Sequence, residues 1–448
     1  MNDLTTGNVF NHILKFSIPM LLGNIFQQLY NIVDSLVVGN FLGNSPLAAV
    51  GASFPVMFVL ISLIIGLTMG VSVLISQYYG AKNLQKVKIA IDTMMIFTIV
   101  AGVVIGLIGY FFSREIFIIM QIPADVIEDA TIYFQIFIVG IFFTFGLNGV
   151  SAVLRGLGDS KTPLYFLIVA TVLNIILDLL FVVVFKWGIG AISLATVISQ
   201  AVAFFGLNIW LNKHHSFVKI NYLKLKFDKD IFVQSIKIGL PAGIQQTIVA
   251  LSMTALTSIV GWFGTEVMAG FSIAIRLDSF AVMPAMTISI ALTSFVGQNI
   301  GAGKLDRVYE ALKASMILSI SMAALAGIIF IFGGRLLVSF FTPDTNVLMA
   351  GTQALKIMCG FYIFLSAMFM YSGVLRGAGD TFIPMFLSLI SLWVVRIPAA
   401  YILSRDYVGL GSDGIWWASP ISWVVGFIIT AAYMNGGNWK KIKIVSNS

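Results

Sequence analysis

A single cysteine, Cys359, stands in 448 residues. That excludes a disulfide framework within the chain and a CxxC metal site. Histidine is nearly as scarce. His12, His214 and His215 all fall outside the long apolar runs, so no imidazole cluster forms inside them. Charge is thin too: 10% of residues are charged against 59% hydrophobic, and mean hydropathy is +0.99. Soluble domains carry about 25% charged residues, so a water-soluble protein is excluded. The opening MNDLTTGNVFNHILK lacks a basic n-region and a small-residue cleavage site. The first apolar run is therefore expected to stay as a membrane helix rather than leave as a signal peptide. Net charge is +7, but the basic residues are spread over loops. That argues against nucleic acid as a partner and suits the positive-inside pattern of membrane proteins.

What is abundant is apolar sequence. Twelve runs are read as helices, near residues 14–41, 52–79, 91–112, 126–153, 163–185, 189–211, 232–262, 268–299, 311–333, 347–374, 384–404 and 413–435. Several exceed the roughly 20 residues a bilayer needs, which predicts tilt, bending or protrusion into water. With the N-terminus in the cytoplasm, four of the 26 Lys+Arg fall on outer loops: Arg114, Lys186, Arg335 and Arg405. Arg276, Lys356 and Arg396 fall within spans, and the other 19 lie on or near the inner side. These include Lys213, Lys219, Lys224, Lys226 and Lys229 of a polar break, and Lys440, Lys441 and Lys443 of the tail. The asymmetry places both termini inside.

The chain repeats itself. Pro19 and Pro241 are 222 residues apart. SQYYGAKNLQKV and GQNIGAGKLDRV match with Gly80 and Gly301 221 apart, and VLRGLGDSKTP and VLRGAGDTFIP match with Arg155 and Arg376 221 apart. Six spans per repeat, an even number, give both halves the same orientation. The expected fold is an all-α integral membrane protein. Its twelve transmembrane helices form two six-helix lobes related by a pseudo-two-fold axis along the membrane normal. The lobes are residues 1–211 and 232–448, joined by a cytoplasmic linker at 212–231.

Three polar residues interrupt this scaffold: Asp34, Asn174 and Asp178. A carboxylate in hydrocarbon costs several kcal/mol, so such residues face a cavity or a polar partner. Asn174 and Asp178 are i and i+4 on one helix and share a face. Asp178 lies nine residues before Trp187 at the outer turn, Thr196 nine after it, and Asp34 nine before Gly43. At ~1.5 Å per residue, all three sit about 13 Å below the outer end, and Asn174 one turn deeper. Two carboxylates in a low-dielectric pocket cannot both stay charged cheaply, which suits proton uptake and release. The Asp, Asn and Thr oxygens suit Na⁺ equally well, and the absence of thiol and imidazole argues against a soft metal. The second repeat has Leu256, Val395 and Ala399 where the first has Asp34, Asn174 and Asp178. The bland alternative is that the acids only join helices through buried hydrogen bonds. Neutral Asn or Ser would do that at lower cost.

IPMLLGNIFQQLYNIVDSLVVG, the twin VLRGxGD segments, LNIILDLLF and ISLATVIS together resemble the multidrug and toxic compound extrusion (MATE) family, nearly end to end. The resemblance implies twelve helices in two lobes and a central cleft. It implies H⁺- or Na⁺-coupled antiport of organic, often cationic or amphipathic, compounds by alternating access, with no other cofactor. The family's cation-site residues match Asp34, Asn174, Asp178 and Thr196, which would also hold Na⁺, and a further tyrosine matches Tyr133. The seventh span, with GLPAGIQQTIVAL, and the tenth, with IMCGFYIFLSAMFMYSGVL, carry no acid. The chain therefore looks like the bacterial and archaeal DinF-like branch, with coupling through the first lobe alone. A monomer in a prokaryotic cell membrane is expected. The nearest rival is a lipid-linked oligosaccharide flippase, which needs a basic cavity for a pyrophosphate. The first lobe's spans carry no Lys or Arg beyond Lys15. A membrane-embedded enzyme is the rival from another class. No metal-ligand set, nucleophile–base pair or phosphate loop supports it.

Other residues carry weaker expectations. Asp34, Asp178, Met57, Phe145 and Met286 are candidate substrate contacts, since acids, thioethers and aromatic faces accept varied apolar cations. Arg276, Asp278 and Arg396 need partners or water. Arg155, Asp159, Arg376 and Asp380 read as turn-fixing residues, and Lys88 with Asp92 as a solvated i,i+4 pair.

Overall fold

The computed structural model describes residues 3–441. The tail lysine Lys443 lies outside them. Every regular element among the described residues is helical. Ten helices are long and apolar enough to cross a membrane: α1 Val9–Leu42, α2 Ser45–Gly80, α3 Leu84–Ile119, α5 Lys161–Val184, α6 Gly190–His214, α7 Lys229–Phe263, α8 Thr265–Gly301, α9 Leu305–Ser339, α11 Phe382–Leu403 and α12 Asp413–Gly436. Two bent pairs complete twelve. The α4 pair is Ala124–Val139 with Ile141–Gly156, bent by 47°, and the α10 pair is Thr345–Cys359 with Tyr362–Ala378, bent by 55°. The twelve elements match the twelve apolar runs one for one.

The bend in α4 has a local cause. Gly140 breaks the helix, and a Cβ there would meet Val197 Cγ2 of α6 at 2.2 Å. Only glycine lets these two helices approach so closely. Ser193 of α6 then donates to the Tyr133 carbonyl at 2.6 Å, fixing the register of α6 against α4.

The chain forms two compact units, one spanning Ile18–Leu240 and the other combining Leu4–Ser17 with the chain from Pro241 onward. The passages between them fall beside Pro19 and Pro241. Proline deletes a backbone hydrogen bond inside a helix, so α1 and α7 are each weakened there. In the second unit, residues 4–7 are held by Arg307 in the first turn of α9 and by Lys304 just before it. Arg307 donates to the carbonyls of Gly7 at 3.0 Å, Leu4 at 3.2 Å and Thr6 at 3.2 Å, and Lys304 donates to Thr5 at 2.9 Å. Leu4 is buried in the apolar cluster of Val9, Ile13, Ile288 and Phe295. The first unit treats the start of α7 in a parallel way. Asp228 N donates to Thr93 Oγ1 at 3.1 Å, and Phe232 packs on Phe97 at 5.2 Å between centroids. Asp228 Oδ1 meanwhile caps α7 by accepting from Asp230 N and Ile231 N, both at 2.9 Å.

The two acids read as turn-fixing, Asp159 and Asp380, make such contacts. Asp159 accepts from the backbone N–H groups of Lys161 and Thr162, and Asp380 from Ile383 N and the Tyr433 hydroxyl. Lys88 and Asp92 do form an ion pair, but it is not the solvated pair expected. Asp92 is buried, because its face of α3 turns inward.

Candidate functional site

Four helices of the first unit bring the polar residues together. Asp178 ends the α-helical part of α5, and Leu179–Val184 continues as π-helix. Asp34 lies one turn before a second π-helical stretch, Val38–Leu42, which ends α1 at Gly43 with φ 95°. A π-turn widens the helix and re-aims its side chains, and such turns gather at functional sites. A third π-helical stretch, Ile390–Arg396, ends at the buried Arg396 of α11. The described residues thus contain three π segments, each beside or ending at a membrane-embedded charge.

At the centre stands Asn174. Its amide lies 3.0 Å from Asp34 Oδ1 and 3.1 Å from Asp178 Oδ2, and with the nitrogen turned toward them it donates to both. With the oxygen turned toward them, the same spacing requires a proton or a cation between the oxygens. The two carboxyl groups also come within hydrogen-bonding reach of each other. Two charged carboxylates cannot share such a contact, whereas an acid and a carboxylate can. Asn174 and Asp178 are wholly buried, at 0% exposure, and Asp178 Oδ1 has no partner. Asp34 is only half-buried. Gln27 and Asn31, on the same face of α1, are exposed. Exposed amides are costly against lipid tails, so this face of α1 meets water.

Thr196 of α6 closes the cluster from another side. Its Oγ1 is 2.8 Å from the hydroxyl of Tyr30, which stands one turn before Asp34 and within hydrogen-bonding reach of it. Tyr30 is the residue the sequence reading missed. The signal was its i−4 spacing from Asp34 on one helix face. Tyr133 of α4 is buried, and its phenol lies near enough to Asp34 and Asp178 to feel both charges. Around these groups Val37, Val38, Phe181, Val182, Ile192 and Ala195 form a buried apolar wall, with Met57 packed against it.

The other candidates sit elsewhere. Phe145 is buried in a separate cluster, edge-on to Phe97. Met286 lies on α8 of the second unit and is 37% exposed. Asp278 accepts a hydrogen bond from the Tyr362 hydroxyl, and Arg276 is exposed. Among the described residues no group of three or more His, Cys, Asp and Glu could hold a metal ion. The donor set at Asn174 is two carboxylates, an amide and hydroxyls, which fits a proton or a monovalent cation rather than a divalent one.

Apolar spans end to end, with an acid–amide cluster held inside them, are the framework of a multi-pass membrane transporter. The MatE family model matches the chain twice, over residues 19–180 and 241–402, and the chain belongs to that family. The second match begins 222 residues after the first, in keeping with the internal repeat. The chain is 34% identical to probable multidrug resistance protein YpnP of Bacillus subtilis (strain 168), over 99% of this chain and 98% of the relative. It is 34% identical to probable multidrug resistance protein YoeA of the same strain, over 98% and 96%. A solved outward-facing multidrug resistance MATE family transporter of the MOP superfamily superposes with a TM-score of 0.89. That likeness covers 98% of each chain at 26% identity. The family comprises transporters, not enzymes.

Proposed function

We propose that this transporter is a cation-coupled antiporter that exports organic, cationic or amphipathic compounds from a prokaryotic cell as a monomer, with both termini cytoplasmic. One observation carries the reading: Asp34 and Asp178 meet at Asn174 with Asp178 Oδ1 unpartnered. A buried carboxyl oxygen with no donor is an open place for H⁺ or Na⁺. The partly exposed Asp34 gives that ion a path from water.

In the outward-open state the ion enters past Asp34 and settles between the carboxyl groups. The added positive charge weakens the hold of the same lobe on a cationic compound, which leaves to the outside. The ion-loaded protein then reopens inward and releases the ion. A potential of 100 mV supplies about 2.3 kcal/mol per charge moved, and each pH unit about 1.4 kcal/mol. One or two ions therefore drive substantial accumulation outside. Both acids lie in the first repeat, and their counterparts Leu256 and Ala399 cannot bind an ion, which supports coupling through that lobe.

The test is efflux of ethidium-like dyes from cells carrying the wild type, Asp34→Asn or Asp178→Asn. Loss of energised efflux in both variants at unchanged membrane abundance is expected. Unchanged efflux in both removes the coupling site.

A further inference from the structure

The second unit holds a polar cluster that the cycle above does not use. Asp278 of α8 accepts from the Tyr362 hydroxyl of α10 at 2.7 Å. Tyr362 is buried, with Phe330 against it at 6.1 Å and Trp423 at 5.6 Å between centroids. Arg396 of α11 stands close enough for its charge to act on Asp278. Yet the two do not touch: among the described residues, the only opposite charges within 4.0 Å are Lys88 and Asp92. Arg396 is 6% exposed, and its Nε has no partner. A guanidinium buried with an unused donor is costly, and closing it on Asp278 would be the simple remedy. The structure keeps the gap.

The repeat shows that this cluster is not required by the helix arrangement. Asp278, Tyr362 and Arg396 fall 221 residues after Met57, Ile141 and Ile175, all apolar. The acids and amide of the first repeat likewise correspond by offset to Leu256, Val395 and Ala399 in the second. Both repeats build the same six spans, so a bond needed only to hold them together would recur in both. Each instead carries its own polar set where the other is apolar.

We propose that Asp278, Tyr362 and Arg396 form a second subsite, which takes zwitterionic amphipaths: the guest's cationic nitrogen on Asp278, its carboxylate on Arg396. Charge balance selects this class. Asp278 and Arg396 sum to zero. A purely cationic guest faces Arg396, and a purely anionic one faces Asp278. A zwitterion pairs both and leaves the net charge of the low-dielectric site unchanged. The planar guanidinium matches a carboxylate through two parallel hydrogen bonds, which uses the idle Nε. Tyr362 holds one oxygen of Asp278 and orients the other toward the guest. Leu277, Trp423 and the partly buried Ile397 supply apolar walls.

This rests on the reading of the chain as an exporter, and the test separates the two. The probes are a rhodamine methyl ester, a permanent cation, and its free acid, a zwitterion on the same ring system. Efflux of each is measured for the wild type, Arg396→Gln, Arg396→Lys and Asp278→Asn. Wild-type export of both dyes is expected. Arg396→Gln and Asp278→Asn should lose about tenfold in export of the acid, the effect of one charge-assisted contact, while the ester is still exported. Arg396→Lys should recover part of the acid export. Equal change of both dyes in Arg396→Gln, or no change of either, overturns the subsite. Wild-type export of the ester without the acid overturns it too and leaves the exporter reading standing. Export of neither dye by the wild type overturns both.

Discussion

Asn174 is the residue on which the first unit's cluster turns, because one amide meets two carboxyl groups at 3.0 and 3.1 Å. Replacing Asn174 with Leu would leave Asp34 and Asp178 facing each other without the amide between them. Leaving a buried polar group without its hydrogen-bond partner costs about 1–3 kcal/mol. The expected outcome is loss of energised dye efflux together with a lower thermal midpoint in detergent; a midpoint equal to wild type would show that the amide does not bridge the acids. Tyr30→Phe is a milder change. It removes the 2.8 Å bond to Thr196. A hydrogen bond of this kind contributes about 1 kcal/mol, so the concentration of coupling ion giving half-maximal transport should shift roughly fivefold at constant expression. The common depth of Asp34, Asn174, Asp178 and Thr196 was readable from the sequence, because helix rise is constant and polar residues in apolar spans are few. Tyr30 was hidden among 13 tyrosines, and only the fold shows which of them reaches a hydroxyl on α6.

Elements show what residue counting could not reach. The π-helical stretches 38–42, 179–184 and 390–396 leave no mark in composition, since LLFVVV would serve equally in an α-helix. The bend of α4 at Gly140 depends on Val197, nearly sixty residues later, and so was also invisible. Gly140→Ala should force these helices apart. Overpacking of that kind costs about 1–3 kcal/mol, to be read as a lower thermal midpoint, with Gly360→Ala as a control because nothing lies within 4 Å of a Cβ there. The grip of Arg307 on Leu4, Thr6 and Gly7 supports a separate expectation. Arg307→Ala should speed amide hydrogen exchange across the α1 entry by about tenfold or more, while the amides of Leu292 and Phe295 stay protected. Uniform loss of protection in both segments would mean that Arg307 stabilises the unit generally rather than the chain's start.

For the whole molecule, the twelve spans and the repeat were legible because hydropathy reports burial in lipid directly and duplicated motifs keep their spacing. The division into units at Pro19 and Pro241 was not, since no change of composition marks it. The central claim is that an ion taken up between Asp34 and Asp178 drives export. Reconstitution into liposomes tests it most directly, with dye movement followed under an H⁺ gradient and a Na⁺ gradient imposed separately. For the wild type, at least one gradient should drive dye transport well above passive leak, and for Asp178→Asn neither should. Gradient-driven transport by Asp178→Asn at the wild-type rate would contradict the account.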